Sequence, residues 1–304
     1  MGVPMTTQQF KDAYEPVLIA DYAIGEDRLE PQWSQFTKVV PSKKLAIENK
    51  VQNYGLGIAQ LKSEGSQITY AGGGESYKST FLKQTFATGF SVTEEAMEFD
   101  EHMDIMAEYG PELPVAMNEA KEIVCANVLN NAFSNTAQPG PDGVAFVASN
   151  HPIQSGTYSN ILATPADLSE ASLEQLRIQV MNAVDMNGRP IALDVKQLLI
   201  GNDNVFVADR ILKSMLRSGT GNNDVNALKD GGYIPKVQLV RRLTNQKAYF
   251  LQTGQKNGIE MMYGWRSKVK YEGDFDTGNM RGKSTENYAV SFTNPRAVYG
   301  SQGT

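Results

Sequence analysis

Few residues in this chain are of types and spacings that could do chemistry. Gly72-Gly73-Gly74-Glu75-Ser76-Tyr77-Lys78-Ser79 approaches a phosphate-binding loop. Such a loop needs Gly-x-x-x-x-Gly-Lys-Ser/Thr between a strand and a helix, so that backbone N–H groups cradle the phosphates. Here Tyr77 stands where the second glycine must turn the backbone, and a strand-like alternation follows. A glycine turn in a hairpin accounts for the string. Of the two histidines, His102 lies among Glu98, Glu101 and Asp104, a set that could hold a metal or move a proton. These residues fall on the polar side of an expected helix, where charge runs normally face water. His151 sits in Ser149-Asn150-His151-Pro152, a loop setting in which catalytic groups occur. The single cysteine, Cys125, cannot form an internal disulfide or a cysteine-based zinc site within one chain. No Gly-x-Ser-x-Gly elbow is present. Paired acids such as Glu94-Glu95 suit the charge preference of a helix N-terminus. No catalytic, cofactor-binding or metal residue is assigned, and the chain is not expected to be an enzyme. Three basic clusters remain, Lys43-Lys44, Arg241-Arg242 and Arg266/Lys268/Lys270. Each could meet phosphate, an acidic partner or only water.

The elements that carry these residues belong to a chain of 304 residues, long enough to bury a core without disulfides or metals. Hydrophobic residues make up 41% and charged residues 20%, which argues against disorder over most of the length. The 28 basic residues against 34 acidic ones give a net charge of −6, the wrong sign for a general nucleic-acid binder. No window approaches the roughly 18 apolar residues of a membrane helix. The first residues lack the basic flank and apolar run of a signal peptide. With one cysteine, the chain fits a reducing compartment. It is read as soluble and made in the cytosol, without membrane contact.

Residues 1–40 read as an arm with scattered anchors, Phe10, Tyr14, Val17, Leu18, Ile19, Tyr22, Trp33 and Phe36. One short helix near 14–22 is possible, but the segment needs another surface to lie on. Residues 51–92 read as a long β-hairpin with Gly-rich turns, its strands holding Leu56, Ile58 and Ala59, then Ile68, Thr69 and Tyr70. A return run over 79–90 carries Leu82, Phe86 and Phe90 on one face. So thin a ribbon is marginal alone, the first sign of a partner.

Ser91-Val92-Thr93-Glu94 predicts a capping box opening a helix. Met97, Met103 and Met106 continue it, and Pro111 and Pro114 break or kink it. Leu113, Met117, Ala120, Val124 and Val128 then define one stripe. If nearly continuous over 93–133, this helix would be about 60 Å long at 1.5 Å per residue. Turn-rich 138–143 and a loop to 165 follow. A helix over 169–187, with Leu173, Leu176, Val180 and Val184 inward, ends at Asn187-Gly188. Then come a strand at 197–200, a helix at 205–216 and a polar loop at 218–226. Strands at 237–243 and 248–252 are joined by Thr244-Asn245-Gln246. In the tail, Tyr288, Val290 and Phe292 alternate until Asn294-Pro295. There is no internal repeat, and the class is α+β.

The order of arm, long hairpin, spine-like helix, α/β core and closing strand resembles the major capsid (head) proteins of tailed bacteriophages, the Hong Kong 97-type fold. Local strings carry the resemblance further. Asn130-Asn131-Ala132-Phe133, Pro141-Asp142-Gly143, Ser149-Asn150-His151-Pro152 and Gly156-Thr157-Tyr158-Ser159-Asn160 are similar to the spine-helix end and the loop after it. Gly188-Arg189-Pro190-Ile191, Leu198-Leu199-Ile200, Ala208 with Ile211-Leu212, and Asn222-Asn223-Asp224-Val225-Asn226 are similar to the axial domain. Asn294-Pro295-Arg296-Ala297-Val298 is similar to the last strand.

The resemblance implies an N-terminal arm at 1–40, an E-loop hairpin at 41–92 and a peripheral domain with the spine helix at 93–166. It implies an axial domain at 167–258 and a return to the peripheral domain at 259–304. The implied role is structural: self-assembly into hexameric and pentameric capsomers of an icosahedral phage head enclosing double-stranded DNA without sequence-specific binding. Location in the virion, after assembly in the host bacterial cytoplasm, follows. Scaffolding, portal and decoration proteins are the further partners implied. With no charged helical stretch before the arm, a separate scaffolding protein or simple self-assembly is implied. Some relatives join Lys to Asn covalently; Lys62, Lys78, Lys83 and Asn294 are present, but no cross-link is expected. One alternative keeps the fold as an encapsulin-type nanocompartment shell holding a cargo enzyme. Another is a metal-dependent or hydrolytic enzyme using His102 or His151.

Overall fold

In a computed structural model of the chain, residue 20 and residues 22–25, 30–70, 72–99, 105–136, 138–216, 225–274 and 276–304 are described. Continuous apolar runs mark the strands buried on both faces. Leu198-Leu199-Ile200 in β7 (Val195–Ile200) and Tyr249-Phe250-Leu251 in β9 (Tyr249–Thr253) are of this kind, joined by β8 (Val237–Leu239) and β12 (Val298–Ser301) in the order β12-β9-β7-β8. Because successive side chains point to opposite faces, this sheet divides its residues between two cores. Leu199, Phe250 and Val298 enter one core with Trp33, Phe36 and Leu129. Leu198, Ile200, Tyr249, Leu251 and Tyr299 enter the other with Leu173, Leu176 and Val180. The strands expected at 237–243 and 248–252 are neighbours in sequence but not in the sheet. β8 pairs parallel to β7 and β9 pairs antiparallel to it, so β7 lies between them.

A second sheet has the order β1-β10-β11-β4. It contains β1 (Lys38–Val40), β4 (Gln84–Val92), β10 (Ile259–Gly273) and β11 (Met280–Phe292). β10 is a long strand that the sequence reading missed. The signal was present, since Ser267, Val269 and Tyr271 alternate with Lys268 and Lys270. The basic residues weakened its apolar pattern.

The expected capping box is not formed; a single side-chain cap sits two residues along. Ser91 stays in β4, where it pairs with Arg281, and Thr93 is the true cap, its Oγ1 accepting from Ala96 N at 3.3 Å. That short helix, α2 (Glu94–Glu98), closes at Phe99. The spine is α3 (Ile105–Asn130), 26 residues with both Pro111 and Pro114 inside it, about 39 Å at 1.5 Å per residue. The prolines, expected to break or kink the run, do not break it, and the helix is not continuous over 93–133, because α2 closes at Phe99. A shorter helix, α1 (Trp33–Phe36), is fastened to the spine by Glu122, whose Oε1 accepts from Gln32 N (2.6 Å) and Trp33 N (3.1 Å). The arm thus contributes Trp33 and Phe36 to the first core. Its anchors Phe10, Tyr14, Val17, Leu18 and Ile19 lie outside the described residues.

The helix expected to 187 stops earlier. α4 (Glu170–Met181) ends at Asn182 and opens with a capping box between Ser169 and Ser172. Val184 instead bridges Pro190. Between them Asp185 Oδ1 accepts from Asn187 N and Arg189 N, so Gly188, at φ 77°, serves this turn and not a helix end. Such Asx turns compete with helix locally. α5 (Val205–Lys213) and α6 (Ala227–Asp230) complete the second core's rim. Most of the polar loop expected at 218–226 lies outside the described residues.

The expected long hairpin divides in two. β2 (Ile47–Tyr54) pairs antiparallel with β3 (Gly74–Leu82). The run over 79–90 is not one strand, for the chain changes partners at Lys83 and β4 joins β11. Phe81 is buried in place of Leu82, which is exposed. Residues 55–73, expected to include strand, contain no regular element among those described.

Candidate functional site

Polar side chains gather most densely where the loop after the spine meets β3 and the turn before β12. A small hairpin, β5 (His151–Ile153) with β6 (Gly156–Tyr158), holds His151 there, fully buried. His151 Nδ1 lies 2.6 Å from Asp142 Oδ2, and its Nε2 lies 3.0 Å from Asn160 Oδ1. The amide of Asn160 has only one consistent orientation. Its Nδ2 donates to the carbonyls of Phe146, Pro295 and Val298, at 2.8, 3.0 and 2.9 Å. Its Oδ1 accepts from Ala148 N at 2.8 Å. Both ring nitrogens of His151 therefore face side-chain oxygens, one of Asp142 and one of Asn160.

Buried Arg296 completes the cluster. Its Nη1 donates to the hydroxyl of Tyr77 at 2.9 Å, its Nε donates to Val184 O, and its guanidinium lies 4.2 Å from the Tyr158 ring centre. Burial raises the Tyr158 hydroxyl well above the ordinary tyrosine value and raises Tyr77 as well. An Asp–His pair can activate a nucleophile, but a nucleophile must then stand at the far nitrogen. Here the far nitrogen meets an amide oxygen. The cluster fastens four chain segments together, and the tyrosine-arginine half was not foreseen from the sequence because its members are up to 219 positions apart.

The other chemical candidates are placed as follows. His102, Glu101 and Asp104 lie outside the described residues, and no side-chain position is described for Glu98. No group of three or more His, Cys, Asp or Glu residues suited to a metal occurs among the described residues. Cys125 is buried in the first core, where desolvation pushes its thiol up to about 12, far from the thiolate that reacts or binds metal. The phosphate-loop-like string opens β3, and no helix follows it. Ser79 Oγ is spent on Phe292 O at 2.8 Å, and Tyr77 is buried in the cluster above. Of the basic clusters, Arg242 pairs with Glu119, and Lys43 N donates to Glu48.

Two features mark surfaces. At the joint between β3 and β4, the Lys83 side chain is fully buried. Its Nζ donates to Ser42 Oγ (2.6 Å), Leu45 O (2.7 Å) and Glu48 Oε2 (2.9 Å). The hydrogen bond from Lys83 holds the Glu48 carboxyl below the ordinary value of 4.5. Beyond this joint, loop 55–73 carries Leu56, Ile58, Leu61, Ile68 and Tyr70 into solvent, with Leu61 99% and Tyr70 91% exposed. Apolar exposure on this scale signals contact with another protein.

A family model described as phage capsid protein matches residues 77–301. The chain belongs to the phage capsid protein family. Solved structures agree on the fold. A structure from Mycobacterium phage Patience superposes with a TM-score of 0.54 at 11% identity, covering 99% of this chain and 91% of that one. The capsid of Myoviridae phage XM1 gives a TM-score of 0.51 at 12% identity, covering 90% and 92%. A virus-like particle from Pyrococcus furiosus gives 0.51 at 8% identity, covering 95% and 99%. No curated protein matches the chain. This capsid protein thus has the α+β, Hong Kong 97-type fold expected from its sequence, with a shell-forming role. The family match does not favour the nanocompartment alternative.

Proposed function

We propose that this capsid protein assembles through hexameric and pentameric capsomers into an icosahedral head around double-stranded DNA. The observation that carries this reading is loop 55–73, whose large apolar side chains find no cover among the described residues. At roughly 25 cal/mol per Å² of apolar surface, covering them on a neighbour supplies a modest attraction per subunit. A closed shell multiplies it. In this reading 1–40 is the arm, 41–92 the E-loop, 93–166 the peripheral domain, 167–258 the axial domain and 259–304 the return. The protein works as structure and not as a catalyst. It is located in the virion after assembly in the host bacterial cytoplasm, with scaffolding, portal and decoration proteins as further partners. Covalent cross-linking is not part of the proposal. Lys83 is buried in its ion pair, and the Oδ1 of buried Asn294 accepts from Arg296 N.

Negative-stain electron microscopy of the purified chain, alone and with its scaffold, tests the reading. Rings or closed shells are expected. A chain that stays monomeric at high concentration under both conditions overturns it.

A further inference from the structure

The third basic cluster is rearranged by the fold. An irregularity in β10 between Trp265 and Lys268 turns Arg266 onto the Tyr263 ring, 5.4 Å from its centre. Lys268 and Lys270 are two residues apart on one exposed face, about 7 Å along the strand, with the Lys268 ammonium 5.3 Å from the centre of the exposed Trp265 ring. The ladder sets Lys283 of β11 directly opposite Lys270. Like charges in directly opposed positions destabilise a sheet, and among the described residues none of the three lysines has an ion-pair partner. The adjoining positions of β4, Ala87 and Gly89, pair with Thr285 and Lys283 and are small, so the lysines stand on a low, open floor. The opposite face of the same ribbon is covered, with Tyr271 packed against Leu113 of the spine.

We propose that the Lys268–Lys270–Lys283 face contacts the phosphate backbone of double-stranded DNA without reading its sequence. This rests on the reading of the chain as the subunit of a DNA-enclosing shell, and it names the surface that would face the cargo. Charge complementarity carries it. A row of cations about 7 Å apart meets a polymer whose strands each carry one negative charge per roughly 3.4 Å of axis. No base contact is needed. On a chain of net charge −6, three lysines give a contact weak enough to release DNA from any one subunit, while many copies hold it together.

The test is titration of full-length subunits, before shell closure, into a fluorescent mixed-sequence DNA duplex at several salt concentrations. Three phosphate contacts predict a slope of log K against log salt of about −2.7, from about −0.9 per contact. The exposed-site variant K268Q/K270Q/K283Q should lose at least tenfold in affinity at low salt and bring the slope towards zero. The control K43Q/K44Q/R241Q should keep both. Absence of binding by the unmodified chain, or an unchanged slope in the triple variant, overturns the proposal. A triple variant that binds DNA normally but no longer assembles also overturns it and assigns the face to an acidic surface of a second copy. Failure of the unmodified chain to form any shell strikes the functional reading instead, which electron microscopy of the same sample separates.

Discussion

The two-faced sheet of β7, β9 and β12 and loop 55–73 spend similar apolar side chains in opposite ways. In the sheet, Leu198 and Leu199 are both fully buried, one in each core. In the loop, Ile58 and Leu61 are 74% and 99% exposed. Subunit stability therefore concentrates in the sheet, and the loop leaves its apolar surface open, as the proposed assembly requires. A shell subunit needs this division, because a loop satisfied by its own chain would have nothing to offer a neighbour.

The largest effect on the stable side is expected at Asn160. Asn160→Leu leaves three carbonyls, an N–H and His151 without their buried partner, a loss of about 3–5 kcal/mol by analogy with breaking buried charged networks. Chemical denaturation of the subunit should show a lower midpoint with little change in slope. A midpoint matching the unmodified chain would mean that the cluster contributes nothing to stability. Leu198→Ala should cost about 2–5 kcal/mol, the range for emptying a closed core site. A loss under about 1 kcal/mol would show that the two-faced sheet is less tightly packed than its burial implies.

Lys83→Met sits between the two regions. It should cost about 1–3 kcal/mol through the stranded Glu48 carboxylate and Leu45 carbonyl, and it should raise proteolysis of the adjoining loop. Glu48 also gives this joint a pH dependence. Its folded value lies below 4.5, so its contribution is complete above 4.5 and declines as pH falls through the lower folded value. The protection factor of the Lys83 amide against hydrogen exchange, measured relative to its intrinsic rate at each pH, should fall under acid in the unmodified chain, where this amide donates to Ala46 O at 3.0 Å. The Met variant should show a smaller change. Equal acid sensitivity in both would remove Glu48 from the explanation.

The smallest effect on folding is expected where the effect on assembly is greatest. Ile58→Asp with Leu61→Asp should alter subunit stability by no more than about 0.5 kcal/mol, as for exposed positions generally. Electron microscopy should nevertheless show loss of closed shells. Intact shells from this variant would mean that the loop is not an assembly surface.

Much of the fold was legible because its signals are local. The stripe Leu113, Met117, Val124 and Val128 lies in the spine, with Leu113, Met117 and Val128 buried. The strand expected at 197–200 lies within β7. The failures arose where two local signals competed or a partner was remote. Ser91 looked like a cap, yet continued pairing with β11 kept it in a strand. Val184 fitted the stripe of α4, but the Asx turn at Asp185 drew it into a bridge. The candidate site was less legible still. His151 was noted as a loop histidine, and nothing near it in sequence announced Arg296 or Tyr77.

The sequence by itself determined the absence of recognisable catalytic motifs, the α+β class, the positions of the main helix and strand periods, and a resemblance to phage capsid proteins. These are statements about residue type and short spacing, which side-chain direction along a helix or strand makes readable. Only the tertiary structure decided that β7 separates β8 from β9, that His151 is sealed between Asp142 and Asn160, and that Lys283 stands opposite Lys270. Pairing partner and burial depend on contacts between distant segments, and a spacing rule confined to neighbouring residues has no access to them.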